Sequence, residues 1–408
     1  MKELRHMYRP QNLRIPGPTF VPQTILAASA RPMINHRGPE FAALLTAITR
    51  ALQGPDFLHT QSDVLLLSTS GSGGMEAAVA NTLSAGDKVV VFVNGAFGER
   101  FFAICKAYGV EARRVDVTWG RALDPDLVRD ELAKEKGKEG AKAVLVTHNE
   151  TSTGVLNPLK EISAVVRAAG KLLVVDSVSG AGAVECEIDE WGIDVLVSAS
   201  QKAWGAPPGL AVVTMGPRAW KAYERSDLPK AYFDLQAAKA SLEKGQTPQT
   251  PAVTVFIAFQ EALRLMSEEG LAAIFRRHRE LARATRRGVQ ALNLALFADE
   301  AHASPTVTSF RAPTRVDARN LTRVLRDEYD TIVAGGQGRL EGQILRVGHM
   351  GFVTIQDMVA FFSALEPALR TFNQPVEPGQ SVAAALAAYH EKDQPAPRGR
   401  ATAVAARR

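Results

Sequence analysis

Cysteine is almost absent: Cys105 and Cys186 are the two in 408 residues. That count excludes a disulfide framework and reads as two reduced thiols. Long apolar runs are missing as well. No stretch reaches the roughly 20 residues a membrane helix needs. The opening MKELRHMYRPQNL has no apolar core of the kind a secretory leader carries. A cytoplasmic chain with no membrane partner is expected. No basic stripe with interleaved aromatics runs through the body, and much of the excess behind the net charge of +5 lies in the tail PRGRATAVAARR. No nucleic-acid partner and no metal site are therefore expected. At 46% hydrophobic and 22% charged, the composition is that of an ordinary globular chain.

Short apolar runs are plentiful. DVLLLST (63–69), KVVVFVN (88–94), AKAVLVTH (141–148), KLLVVDS (171–177), DVLVSAS (194–200) and LAVVTMG (210–216) are nearly continuous. Strands buried on both faces read this way, which predicts a mostly parallel sheet. Helical stretches alternate with them. GGMEAAVANTL ends before Gly86-Asp87, GERFFAICKAYG ends at Gly109, and NPLKEISAVVRAAG runs from Pro158 to Gly170. The alternation predicts βαβ units and an α/β fold. Beyond 250 one long helical stretch leads to segments that predict a smaller α+β domain. The expected division is an N-terminal arm (1–20), a large domain (21–270), a small C-terminal domain (271–372) and a basic, disordered tail (373–408). No internal repeat is present.

Ligands of an open parallel sheet sit at the carboxyl ends of its strands, so the residues there matter most. STSGSGG (68–74) opens a helix; it suits an anion cradle or a plain capped turn. It is neither a Walker loop nor a dinucleotide fingerprint. Phe97, in the glycine-flanked loop NGAFGERF, is either folded back on the core or a platform for a planar ring. THNETSTG (147–154) holds more hydroxyls than a helix cap needs. Asp176 ends an apolar strand, where a carboxylate needs a cation or strong donors; a helix cap or a metal-binding acid are the other readings. Lys202, in SASQKAW, follows another such strand. Burial favours its neutral amine, the form that attacks an aldehyde, whereas an ordinary lysine would snorkel or pair with an acid. Together these supply what pyridoxal 5'-phosphate requires: sites for a phosphate, a planar ring, a ring nitrogen and an aldehyde.

The ordered set SGSGGMEAA, THNETSTGV, VDSVSGAG, SASQKAWGAPPGL, TPQTPAV and LRVGHMG resembles the class V aminotransferases, and within them the alanine–glyoxylate and serine–glyoxylate group. The likeness runs from PGPTFVP (16–22) to RVGHMG (346–351). It implies a fold type I pyridoxal phosphate transferase with a seven-stranded, mostly parallel sheet. Lys202 and Asp176 would be catalytic, as the imine-forming proton shuttle and the partner of the pyridine nitrogen. Val178 and Phe97 would pack on the two ring faces. Ser70, Gly71, Ser72 and Gln201 would hold the phosphate, and Thr151 would sit by the ring hydroxyl. Thr250 and Thr247 would reach the phosphate from a second subunit, which implies a homodimer with shared sites. Arg346 would take the substrate carboxylate; without the resemblance it reads as a salt-bridge residue between the short apolar strand QIL and the loop-like VGHMG. Gly17, His36 and Arg37 would line the substrate side.

The expected reaction moves an amino group from a small amino acid, alanine or serine, to glyoxylate or pyruvate by a ping-pong mechanism. An inward-pointing Arg37 beside His36 would instead suit a second anion, as in phosphoserine or aspartate. A cysteine desulfurase-like lyase needs a nucleophilic cysteine on a mobile loop, which neither Cys105 nor Cys186 provides by its setting. Desulfurases also tend to carry histidine where Phe97 and Gln201 stand. A non-enzymatic protein keeping the fold is the third reading, opposed by the intact lysine, aspartate and arginine.

Overall fold

The computed structural model describes residues 11–134 and 140–391. Half of the expected N-terminal arm and residues 392–408 of the expected tail lie outside the described residues.

The large sheet contains β1 (Asp63–Leu67), β2 (Lys88–Val93), β3 (Glu111–Asp116), β4 (Ala143–Thr147), β5 (Leu172–Asp176), β6 (Val195–Ala199) and β7 (Ala211–Met215). Their seven-stranded order is β1-β7-β6-β5-β4-β2-β3. Six strands run one way; β7 is antiparallel to both neighbours. The apolar runs produce this sheet because both faces are covered. Val64, Leu66, Val144, Val146, Leu173 and Val175 enter one core, while Leu65, Leu67, Ala143, Leu145, Leu172 and Val174 enter the other. Each such fully buried side chain stabilises the fold by about 2 kcal/mol. The strand absent from the sequence reading is β3, EARRVD. It is an edge strand, and only Val115 of its six residues is buried.

The long helical stretch after 250 is two helices, Val253–Glu269 and Leu271–Ala291, separated by Gly270 at φ +79°. Beyond them β8 (Val307–Arg311), β9 (Ala334–Gly335) and β10 (Ile344–Gly348) form a small antiparallel sheet in the order β8-β10-β9. It has a core of its own, built on Phe310, Leu345, Val347, Phe361 and Phe362. The expected disordered tail begins too early. Gln380–His390 form a helix whose small residues Ser381, Ala385 and Ala388 are buried, with Ser381 bonded to the buried Glu366 carboxylate. Alanine-rich sequence next to proline looked unstructured, but its small side chains allow close helix packing.

The segment from Asn12 to Thr19 joins the two sheets. Asn12–Leu13 pairs with Thr331–Ile332, Gly348 donates to the Arg14 carbonyl, and Thr19 donates to Gln201 and Lys202 carbonyls.

Candidate active site

Six parallel strands put their carboxyl ends on one edge, and the candidate residues collect there. Lys202 follows β6. Its amine is buried, with 8% of the residue exposed, and donates to the Pro16 carbonyl at 2.6 Å. Burial first, and then the positive charge of Arg346, push this amine down to about 8; Asp176 pulls the other way. Gly17 makes the space: a Cβ there would lie 2.5 Å from Lys202 Nζ, and its φ of +123° disfavours any side chain.

Asp176 closes β5 and is 2% exposed. Its Oδ1 accepts the amide of Val178 at 2.9 Å. Among the described residues it makes no salt bridge. Burial pushes the carboxyl up to about 6, with Arg100 and Lys202 drawing it down. A buried carboxylate in this condition gains from a cation placed beside it.

Ser70 caps the helix Gly71–Thr82, accepting the Gly73 amide at 3.4 Å. The helix therefore starts two residues earlier than GGMEAAVANTL suggested. A Cβ on Gly71 would sit 2.7 Å from Val178 Cγ2, so these two residues form one close-set wall. Ser72 Oγ accepts from Arg100 Nη1 at 3.0 Å. Gln201 Oε1 is buried without a hydrogen-bond partner among the described residues.

Phe97 is not in a loop. It lies in the first turn of the helix Ala96–Ala107, with the Arg100 guanidinium 4.8 Å from its ring centroid. Gly95 is the N-cap, so the helix begins at the glycine that suggested a loop. Thr151 Oγ lies 2.6 Å from Ser179 Oγ. Arg346 does not stand between a strand and a loop: the strand runs on, so that it occupies the middle of β10, and it is 5% exposed. Its Nε donates to Gly335 O at 2.8 Å, and its Nη1 donates to Thr151 O at 3.2 Å and Gln337 Oε1 at 3.3 Å. Burial pushes it down to about 10 while Glu150 holds it up.

His36, Arg37, Thr247 and Thr250 form a cluster of their own. Arg37 donates to Gln246 Oε1, Thr247 O and Pro248 O at 3.0, 2.6 and 3.1 Å. Thr250 Oγ lies 3.5 Å from His36 Nε2, and Thr247 Oγ donates to Gln249 O. The guanidinium of Arg37 is thus held on the 246–248 loop.

Sequence reasoning missed Glu150 and Arg100. Glu150 stands in the quoted THNETSTG, and an acid just after an apolar strand is the signal that singled out Asp176. Arg100 lies three residues past Phe97 on one helix, the spacing that brings side chains together.

The residues fit pyridoxal phosphate. Gly17 leaves room at an amine whose hold on its proton burial weakens, Asp176 makes no salt bridge among the described residues, and a capped helix start lies alongside.

A family model described as aminotransferase class-V matches residues 24–349. The chain belongs to the class V aminotransferase family. It is 46% identical to a Synechococcus protein named soluble hydrogenase, small subunit, over 91% of this chain and 97% of that one. It is 34% identical to the L-aspartate–glyoxylate aminotransferase of Paracoccus denitrificans, over 92% and 96%. The crystal structure of ureidoglycine–glyoxylate aminotransferase from Bacillus subtilis superposes with a TM-score of 0.87 at 29% identity, covering 94% of this chain and 98% of that one. The class V aminotransferase described here is accordingly a fold type I transaminase that uses pyridoxal phosphate. No helix among the described residues is long and apolar enough to cross a membrane.

Proposed function

We propose that this aminotransferase moves the amino group of alanine or serine to glyoxylate or pyruvate in two half-reactions. The observation that carries the reading is the setting of Lys202: buried, drawn down to about 8, and under the opposed charges of Asp176 and Arg346. The cofactor supplies an aldehyde to capture the amino group and a ring that withdraws electrons from the substrate Cα. Lys202 Nζ takes the proton from that Cα and returns one, as a base poised near neutral pH can. Asp176 keeps the ring nitrogen protonated. Arg346 binds the substrate carboxylate through Nη2, the guanidinium nitrogen not committed to Gly335, Thr151 or Gln337, which orients Cα toward Lys202. Ser70, Gly71, Ser72 and Gln201 would hold the phosphate, Thr151 would serve the ring hydroxyl, and Val178 and Phe97 would pack on the ring.

The engaged Arg37 supports a donor without a second anion. The desulfurase alternative lacks a nucleophile, because burial pushes Cys105 up to about 12 and raises Cys186 further. We further infer a cytoplasmic homodimer in which the Thr247–Thr250 loop of each copy serves the other copy's phosphate site. The exposed apolar residues Phe20, Leu26, Met33 and Tyr232 are consistent with a covered surface. A screen of alanine, serine, aspartate and phosphoserine against glyoxylate, pyruvate and 2-oxoglutarate tests the reading. Transfer from alanine or serine to glyoxylate is expected; activity confined to phosphoserine and 2-oxoglutarate would overturn it.

A further inference from the structure

Glu150 is a buried carboxylate that the proposed reaction does not use. It is wholly inaccessible, and four donors converge on it. The amides of Phe97 and Gly98 donate to Oε2 at 3.1 Å each, while the amide and the hydroxyl of Ser152 donate to Oε1 at 3.1 and 2.5 Å. The first-turn amides of a helix have no intrahelical acceptor. The N-cap here is Gly95, which has no side chain to offer, and Ser152 Oγ accepts the remaining amide, that of Ala96, at 2.8 Å. A carboxyl group from a two-stranded hairpin more than fifty residues away therefore caps the helix that carries Phe97; burial pushes the carboxyl up to about 7, while its donors and the helix dipole favour its charge.

The same hairpin governs Arg346. The residue after Glu150 is Thr151, whose carbonyl accepts from Arg346 Nη1, and the Glu150 charge supports the arginine's positive form. Displacing Glu150 would disturb both the ring platform and the guanidinium.

We propose that Glu150 is a positioning residue that sets Phe97 and Arg346 in one frame, anchoring the ring platform through two amides and holding the Thr151 carbonyl where it aims the guanidinium. The proposal rests on the transaminase roles given above to Phe97 and Arg346.

Two variants approach it independently. Glu150→Gln keeps the shape but leaves one amide facing an NH2 group. Gly95→Ala keeps the charge but places a Cβ 2.2 Å from Glu150 Cδ, so the carboxylate must move. Gly95 has an extended backbone, with φ 177°, that alanine adopts freely. Ile104→Ala, in the core side of the same helix, controls for general loosening. Cofactor-free protein is titrated with pyridoxal phosphate, and KM for glyoxylate is measured on the loaded enzyme. Both Glu150→Gln and Gly95→Ala should raise the cofactor Kd and the glyoxylate KM by about tenfold each, the scale of a lost hydrogen bond to a charged group. Ile104→Ala should lower the melting temperature with Kd and KM unchanged. Unchanged Kd and KM in the first two variants, or an equal shift in Ile104→Ala, would overturn the proposal. If the parent protein transfers no amino group from any donor, the transaminase reading falls, while the Kd comparison still decides the anchoring role of Glu150.

Discussion

Arg346 on the small sheet reaches Thr151, in the turn that follows β4 of the large sheet: Nη1 donates to the Thr151 carbonyl across 3.2 Å. Two residues far apart in the chain are thereby fixed within one site, and the guanidinium also holds Gly335 O and Gln337 Oε1. A fork held on several sides is rigid before substrate arrives. Arg346→Lys keeps a charge but loses that geometry. It should lower kcat/KM by roughly 10²–10³, mainly through KM, with cofactor binding retained. Steady-state kinetics with glyoxylate as the varied substrate measures this.

Asp176 gives a pH-dependent stability of known sign. Its folded value of about 6 lies above its ordinary 3.8, so its stabilising contribution is present below pH 3.8 and is lost as pH rises through about 6. In cofactor-free protein, Asp176→Asn should therefore gain in melting temperature over the parent as pH goes from about 4 to 7. Pyridoxal phosphate should reverse the ordering by placing a cation at the carboxylate. Turnover of the loaded variant should fall by about a thousandfold. Thermal melts across pH, with and without cofactor, check both signs.

Gly17 is expected to tolerate no side chain, since a Cβ would crowd Lys202 Nζ at a backbone angle alanine resists. Gly17→Ala should lower kcat by about a hundredfold, the scale of a displaced reacting group. A lowered melting temperature with kcat lowered far more than the lost stability explains is the expected pair; parental kcat would show that the lysine has room to spare.

Arg37→Ala separates a loop clamp from a substrate arginine. Freed from Arg37, the 246–248 loop should weaken cofactor retention by about tenfold while leaving the ranking of amino donors as it was. Selective loss of aspartate or phosphoserine activity would identify Arg37 as a reader of a second anion.

Much of this architecture was legible in the sequence, for identifiable reasons. Strands covered on both faces must be apolar throughout, so β1, β2, β4, β5, β6 and β7 announced themselves. The edge strand β3 did not, because Glu111, Arg113 and Arg114 face solvent or salt bridges rather than a core. Lys202 and Asp176 stood out as charges at apolar strand ends. Phe97 was named but placed in a loop, because glycines hid a helix start, and Arg346 was named but placed after a strand that in fact runs through it to Gly348. Glu150 was hidden because its function is relational. Two of its four donors come from Phe97 and Gly98, which no local pattern links to residue 150.

The central claim is that Lys202 is the base of an amino-transfer reaction, and the most direct measurement compares the parent enzyme with Lys202→Ala, both loaded with pyridoxal phosphate, for transfer from alanine or serine to glyoxylate. Glycine formation by the parent and none by the variant, with cofactor still bound, is the result this account requires. Glycine formation by the variant at the parental rate would contradict it.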